Sequence, residues 1–379
     1  MRIGLIHNYY RSEIPSGENL TVNQIATYLK DLGHIVSIYS ESSDRYKKNP
    51  RLQIARVLSL FFGISKREFK EWISEQDAIQ IHNYFPLIGR PELRVMLKSN
   101  IPITRVIHNY RKSCLSGNHF RKNNNCQRCT LNKFKSGIIR RCYDKSFLKS
   151  FVVSKMTKAI NNFEINRVSK FVAVSQSIKK YLLDIGVESE KIVVIANGIA
   201  PLPRISKNAK EVLFVARLEP EKGTKLVIET WREYQELPRL NMVGTGSLHK
   251  YVSASTANLN NVIFHGALDS NQLELIAAKC RIFLAPLSWD EPFGRTLVEA
   301  LSRGQAIVTT KKGIAEALVQ EGVNGFFCEA RSDSLFSAIT RAQEFDYLLQ
   351  LSVSIGIWEN LFSTNIIEQN WKKLYENLE

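Results

Sequence analysis

The sequence predicts an α/β chain made of two Rossmann-like halves. Three observations carry this. The chain opens as strand, glycine-containing loop, helix and strand; a second series of short apolar strands alternating with helix patterns begins near Val212; and Asn197-Gly198, Pro201 and Pro203 interrupt regular structure between the two.

The opening stretch, MRIGLIHNYY, has an apolar run of strand length and lacks the long apolar core and small-residue cleavage site of a signal peptide, so it reads as a first strand. Pro15, Ser16, Gly17 and Glu18 form a loop before a helix pattern through Val22, Ile25, Ala26 and Leu29, stopped by Gly33, and Ile35 to Tyr39 is the second strand. Gly17 suits a close approach of the backbone to an anionic ligand, or an ordinary tight turn. The most apolar longer segment, Ile54 to Ile64, is short and broken by Arg56, so a spanning helix is not expected. Ile79 to His82 and Thr104 to His108 read as buried strands, each ending in His-Asn-Tyr. Ligands of open α/β sheets collect at the carboxyl ends of strands, which places both histidines at such an end. His82 reads as structural.

Cys114, Cys126, Cys129 and Cys142 fall within 29 residues, with a CxxC in the middle. Four thiolates at this spacing suit a structural zinc, and reduced thiols packed in a loop are the alternative. Without a signal peptide, structural disulfides are not expected. Cys280 and Cys328 read as small core residues. From Phe134 to Lys170, Lys135, Arg140, Arg141, Lys145, Lys149, Lys155, Lys158, Arg167 and Lys170 are interleaved with Phe147, Phe151, Val152 and Met156. This predicts a helix with one apolar and one cationic side, packing on the sheet or lying on anionic lipid. Phe171 to Val174, a helix over Ile178 to Ile185 and a strand over Ile192 to Ile195 complete the first half.

In the second half, Val212 to Ala216 is a strand delivering Arg217, and the loop LEPEKG delivers Lys222 ahead of a helix. A planar guanidinium fork and a lysine point charge in one place can stabilise a diphosphate as it departs, although on a loop such residues usually serve solubility. Gly244-Thr245-Gly246 reads as a strand-to-loop turn. Further strands are expected at Val262 to Phe264, Ile282 to Ala285, Ala306 to Thr309 and Gly325 to Phe327, and a last helix over Ile366 to Leu378 with Ile367, Trp371, Leu374 and Tyr375 on one face.

The most informative stretch is Ser288 to Gln305, SWDEPFGRTLVEALSRGQ. It sets Glu291 on a loop and Glu299 two turns into a helix that Gly304 stops. The loop ends in Pro-Phe-Gly, leaving the first N–H groups of the helix, around Phe293, Gly294, Arg295 and Thr296, free to meet a phosphate. The two carboxylates can accept hydrogen bonds from a sugar and from ribose hydroxyls.

EPFGRTLVE resembles the glutamate-x7-glutamate signature of retaining glycosyltransferases of family 4, in particular those of bacterial surface-glycan synthesis. PSGENLTVNQIATYLKDLGHIVSIYS, IHNYFPLIG, VIHNYRKSC, FVARLEPEKG, VGTGSL and GVNGFF match in the same order. The resemblance implies the GT-B fold: an acceptor-binding domain over 1–200 and a nucleotide-sugar domain over 201–355 facing across a cleft, with a C-terminal helix, 356–379, crossing back onto the first. It further implies that Glu291 holds the donor sugar and Glu299 the ribose, that Arg217 and Lys222 hold the diphosphate, and that His108 lies beside the reacting sugar. No catalytic metal is implied, because Arg and Lys replace it. The family usually has two glycines where this chain has Ser16-Gly17.

Charge narrows the partners. Residues 1–200 hold 33 Lys+Arg against 15 Asp+Glu, and residues 201–379 hold 19 against 21, so the net +16 belongs to the first half. A basic half suits an anionic membrane surface, an acidic acceptor or a nucleic acid. The ordered motifs disfavour the nucleic acid, which needs none of Arg217, Lys222, Glu291 or Glu299. The expectation is a glycosyltransferase that acts on a glycan or lipid-linked acceptor and works in the cytoplasm, peripherally on the inner face of the plasma membrane. A sugar-nucleotide epimerase of the same architecture is the alternative.

Overall fold

The structure, a computed structural model, describes residues 1–9, 16–42, 63–83 and 89–376. Pro15 and most of the Ile54 to Ile64 run lie outside these. The chain forms two compact units. The first is Met1–His119 with Cys126–Ala196 and the C-terminal segment from Glu368; the second is Asn197–Ile367 with the short insert Phe120–Asn125.

The first unit is built on a six-stranded sheet. Its strands are β1 (Arg2–Tyr9), β2 (Ile35–Ser42), β3 (Ala78–Ile81) and β4 (Ile103–Ile107), followed, beyond the hairpin β5 (Phe120–Arg121) and β6 (Asn124–Asn125), by β7 (Val168–Ala173) and β8 (Ile192–Val194). The order is β2-β1-β3-β4-β7-β8, every pairing parallel. Central strands buried on both faces need continuous apolar runs, and Ile3, Leu5, Ile6, Ile79, Ile81, Val106 and Ile107 supply them. The order reverses between β1 and β3, the place where an open sheet leaves a crevice at its carboxyl edge.

The second unit repeats the plan with β9 (Glu211–Val215), β10 (Leu240–Val243), β11 (Val262–Gly266), β12 (Cys280–Ala285), β13 (Ala306–Thr309) and β14 (Gly325–Phe327). Their order is β11-β10-β9-β12-β13-β14, again all parallel, with the reversal between β9 and β12. Trp231, Phe214, Met242, Ile282, Leu284 and Ile339 form its core.

Two helices depart from expectation. The cationic stretch is not one helix: Lys135–Ile139 and Phe147–Arg167 are separated where Arg141, Asp144 and Lys145 take left-handed φ of 52°, 49° and 53°. Nor is the long helix cleanly two-sided. Val153, Met156, Ile160 and Phe163 are buried, yet Phe147, Leu148 and Phe151 at its start are exposed beside the lysines. At the other end of the chain the return is made by two helices, Tyr347–Leu361 and Thr364–Glu376. The chain rejoins the first unit at Glu368, later than the expected 356. Ile367, Trp371, Leu374 and Tyr375 are all buried.

Candidate active site

In the second unit the candidate residues gather on loops after β9 and β12, the two strands flanking the reversal. The chain leaves β9 through Ala216, Arg217 and Leu218, and the Gly244-Thr245-Gly246 turn presses against it. A Cβ on Gly244, whose φ is 141°, would stand 1.9 Å from Ala216 O, and one on Gly246 would stand 2.6 Å from Leu218 O. Leu218 N–H donates to Thr245 O at 2.9 Å. The GxG is thus a brace for the Arg217 loop. Arg217 is about half exposed, with Nη2 3.7 Å from Glu221 Oε1.

Lys222 ends a 3-10 turn, Pro220–Lys222, and Gly223 follows with φ 75°. That glycine permits a tight approach to the loop after β12: a Cβ there would stand 2.0 Å from Pro286 O, and Ser288 N–H donates to Glu221 O at 2.9 Å. The approach brings Lys222 Nζ onto Glu291 Oε2 and over the Trp289 ring, 5.1 Å from its centroid. Trp289 Nε1 donates to the same carboxylate oxygen at 3.2 Å. Glu291 is only 8 % exposed. Behind it, Ile314 N–H donates to Glu291 O at 3.0 Å, and a Cβ on Gly313 (φ 57°) would stand 2.3 Å from Glu291 N and O. Trp289, Gly223 and Gly313 were not singled out from sequence. A positive-φ glycine leaves no mark on hydrophobic periodicity, and a tryptophan in an apolar stretch reads as core.

The helix Arg295–Arg303 begins at Gly294, φ 64°, with no side chain capping its first turn. Arg295 Nε donates to Glu299 Oε1 at 3.0 Å, and Thr296 is partly exposed beside them. Arg295 Nη1 is buried with no hydrogen-bond partner among the described residues. A buried guanidinium N–H is costly to leave unpaired, and next to an uncapped helix start it has the chemistry to meet an anion such as a phosphate. The ring of Phe293 packs on Phe362, centroids 5.9 Å apart, so what it offers a ligand is its main chain. Gly304 (φ 78°) ends the helix as expected.

In the first unit three imidazoles meet at the carboxyl edge of β1, β3 and β4. His7 Nε2 is 3.0 Å from Asn19 Oδ1, and His82 Nδ1 is 3.0 Å from His108 Nε2, the last two rings stacked at 5.3 Å. Burial depresses all three. His7 falls to about 4, through burial and Arg105 against the raising bond to Asn19. His108 falls to about 3, through burial, Arg105 and then His7. His82 lies well below the ordinary range, through burial and then His108, His7 and Arg105. At neutral pH these are uncharged hydrogen-bonding groups. Arg105 beneath them donates to the carbonyls of Ile81 and His82 and to Glu164. Gly17 is the first residue of the helix Gly17–Asp31 and helical itself, and Ser16 caps that turn by accepting from Asn19 N–H at 3.3 Å.

Of the four cysteines expected to hold zinc, Cys129 lies close enough to Cys114, Cys126 and Cys142 to feel their charge. Among the described residues no group of three or more His, Cys, Asp or Glu side chains is placed to hold a metal ion. Cys114 Sγ is 3.2 Å from Ser116 Oγ, while Cys129 and Cys142 pack on the small core of Leu115, Phe134 and Val153. Burial, with the neighbouring thiols, raises Cys129 above the usual thiol range against a bond from Gly137, and so favours the protonated form. All six cysteines are free.

Two parallel-sheet α/β units, each with a strand-order reversal and the second with a cation, a carboxylate and an uncapped helix gathered at it, are the plan of the GT-B fold. The comparisons agree. Residues 15–201 match the model of Glycosyltransferase Family 4 and residues 201–344 that of Glycosyl transferases group 1. The chain belongs to these glycosyltransferases. It is 24 % identical to the phosphatidyl-myo-inositol mannosyltransferase of Mycobacterium tuberculosis over 94 % of this chain and 91 % of that one. It is 27 % identical to an uncharacterized 42.6 kDa protein of the cps region of Klebsiella pneumoniae over 85 % and 84 %. Among solved structures it resembles Alr3699/HepE of Anabaena in complex with UDP-glucose, with TM-score 0.65 and 21 % identity over 99 % and 100 % of the two chains. Sucrose-phosphate synthase of Thermosynechococcus elongatus gives 0.70 and 15 % over 100 % and 98 %.

Proposed function

We propose that the protein is a retaining hexosyltransferase that moves a sugar from a nucleotide diphosphate sugar to a glycan or lipid-linked acceptor without a catalytic metal. The observation that carries this reading is the Lys222–Glu291 pair beside the open turn at Gly294. Glu291 accepts from the donor sugar hydroxyls and Glu299 from the ribose. Arg217, Lys222, Arg295 and the N–H groups around Phe293, Gly294 and Thr296 take the diphosphate, with Gly17 near it, and His108 serves the reacting sugar. The bond from the anomeric carbon to phosphate breaks as the acceptor oxygen bonds on the same face, and the departing phosphate oxygen takes the acceptor proton. A panel of nucleotide sugars, each incubated with candidate acceptors and read by mass spectrometry, tests the reading; UDP-hexoses come first because a relative in fold binds one. Turnover of donor alone to an isomeric sugar nucleotide would establish the epimerase instead.

Metal independence is checked separately. With three or more cations to hold the diphosphate, EDTA is expected to leave the initial rate unchanged, and loss restored by magnesium would show that the cations do not suffice.

We place the enzyme peripherally on the anionic inner face of a bacterial plasma membrane. Among the described residues no helix is long and apolar enough to cross a membrane. Support comes from the basic first half and from Ile139, Phe147, Leu148 and Phe151, 62, 55, 70 and 42 % exposed, next to exposed Lys149, Lys155 and Lys158. Each such cation contributes about 1 kcal/mol near an anionic surface, and the aromatic rings add insertion. Sedimentation with liposomes should rise with anionic lipid and fall with salt. It should weaken when the three lysines become Glu or when Phe147 and Leu148 become Ser. Indifference to anionic vesicles at low salt would favour an acidic soluble acceptor as the partner of these cations.

A further inference from the structure

His82 reads as structural from sequence, but it stands in a directional chain of hydrogen bonds. Tyr375, on the returning C-terminal helix and 1 % exposed, donates from its hydroxyl to Gln80 Oε1 at 2.6 Å. Gln80 Nε2 lies 2.7 Å from His82 Nε2, and His82 Nδ1 lies 3.0 Å from His108 Nε2. Gln80 is fully buried and His82 is 1 % exposed, whereas His108 is partly exposed.

The polarity of this chain follows from its ends. A buried phenol proton must reach an acceptor, and among the described residues the only acceptor placed for it is the amide oxygen of Gln80. The amide NH2 of Gln80 therefore faces His82 and donates, which makes His82 Nε2 an acceptor. An uncharged imidazole carries one proton, so that of His82 sits on Nδ1 and is donated to His108 Nε2. His108 must then carry its own proton on Nδ1, the nitrogen that takes no part in the chain. Free imidazole side chains favour the opposite tautomer, with the proton on Nε2.

We infer that Gln80, His82 and Tyr375 are positioning residues that fix His108 in the Nδ1–H tautomer, so that its outward nitrogen is a hydrogen-bond donor to a sugar oxygen and never an acceptor. The inference rests on the proposed role of His108 only for its consequence in catalysis. The tautomer itself can be read without turnover. It also gives the returning helix a part in the chemistry of the first unit, because the phenol that sets the direction comes from Tyr375.

The test is long-range proton–nitrogen correlation NMR on the full chain labelled with nitrogen-15 histidine, at pH 7, with His108→Asn to assign the signals. The wild type should show His82 and His108 both protonated at Nδ1 and bare at Nε2. Gln80→Glu replaces the donor by a carboxylate, which accepts from both Tyr375 and His82. Both rings should then switch to Nε2–H, presenting an acceptor outward, and kcat should fall by about 10²-fold with KM for the donor little changed. Tyr375→Phe frees the amide to rotate and should populate both tautomers, an outcome that stays readable if the buried glutamate prevents folding. A wild-type His108 protonated at Nε2, or tautomers unmoved in both variants, would overturn the inference. A full switch with unchanged turnover would keep the tautomer assignment and remove His108 from the reaction.

Discussion

Glu291→Gln is expected to lower kcat/KM by about 10²- to 10³-fold while leaving the fold in place. The amide has the shape of the carboxylate and can still accept from Trp289 Nε1, so packing around this 8 % exposed residue survives. What is lost is the negative charge that binds Lys222 in the free enzyme and that, in the proposed reaction, accepts from the donor sugar. Lys222→Met should cost a similar factor, because the leaving diphosphate loses a cation in a position where little water replaces it. Since the two side chains are in direct contact, their effects should not add: the double variant should be little worse than the poorer single one. Steady-state kinetics with the donor found by mass spectrometry, together with melting midpoints within about 5 °C of wild type, check this. Unchanged turnover in either single variant would remove its assigned role.

Much of the fold was legible because parallel strands buried on both faces must be short unbroken apolar runs. Each expected strand from Ile35–Tyr39 to Gly325–Phe327 overlaps an observed one. The cations and carboxylates of the second unit stood out through ordered motifs: Arg217 and Lys222 follow β9, Glu291 lies on the loop after β12, and Glu299 lies within the helix Arg295–Arg303. The bracing was not. Gly313 behind Glu291 and Trp289 beside it act through close approach, which depends on where a distant loop lies. The break between Ile139 and Phe147 was hidden for a related reason: left-handed conformations at Arg141, Asp144 and Lys145 are ones those residue types rarely announce. The histidine chain was half visible. His82 and His108 could be placed at strand ends by sequence, but the direction of the bonds between them is set by Tyr375, nearly three hundred residues away.

The largest expected effect on stability lies beneath those histidines. Glu164, 1 % exposed and on the inward side of the helix Phe147–Arg167, accepts from Arg105 Nε at 2.7 Å and from Lys112 Nζ. Neither cation is well placed to reach water, since their side chains are 14 % and 7 % exposed. Burial lowers the Lys112 pKa, and Glu164 opposes that shift by attraction and by its hydrogen bond. Replacing the carboxylate by Leu would leave two buried positive groups with one counter-charge removed, and such changes cost about 3–5 kcal/mol. Glu164→Gln keeps an acceptor and the shape, and should cost less. The consequence reaches the site because Arg105 also binds the carbonyls of Ile81 and His82 at the end of β3. Urea unfolding should therefore show the midpoint falling most for Glu164→Leu. The histidine signals should broaden or move in that variant even at urea concentrations where the chain remains folded. An unfolding free energy within about 1 kcal/mol of wild type would mean that the two cations find water or other partners without Glu164, and that the buried ion pair is not what holds the histidine end of β3.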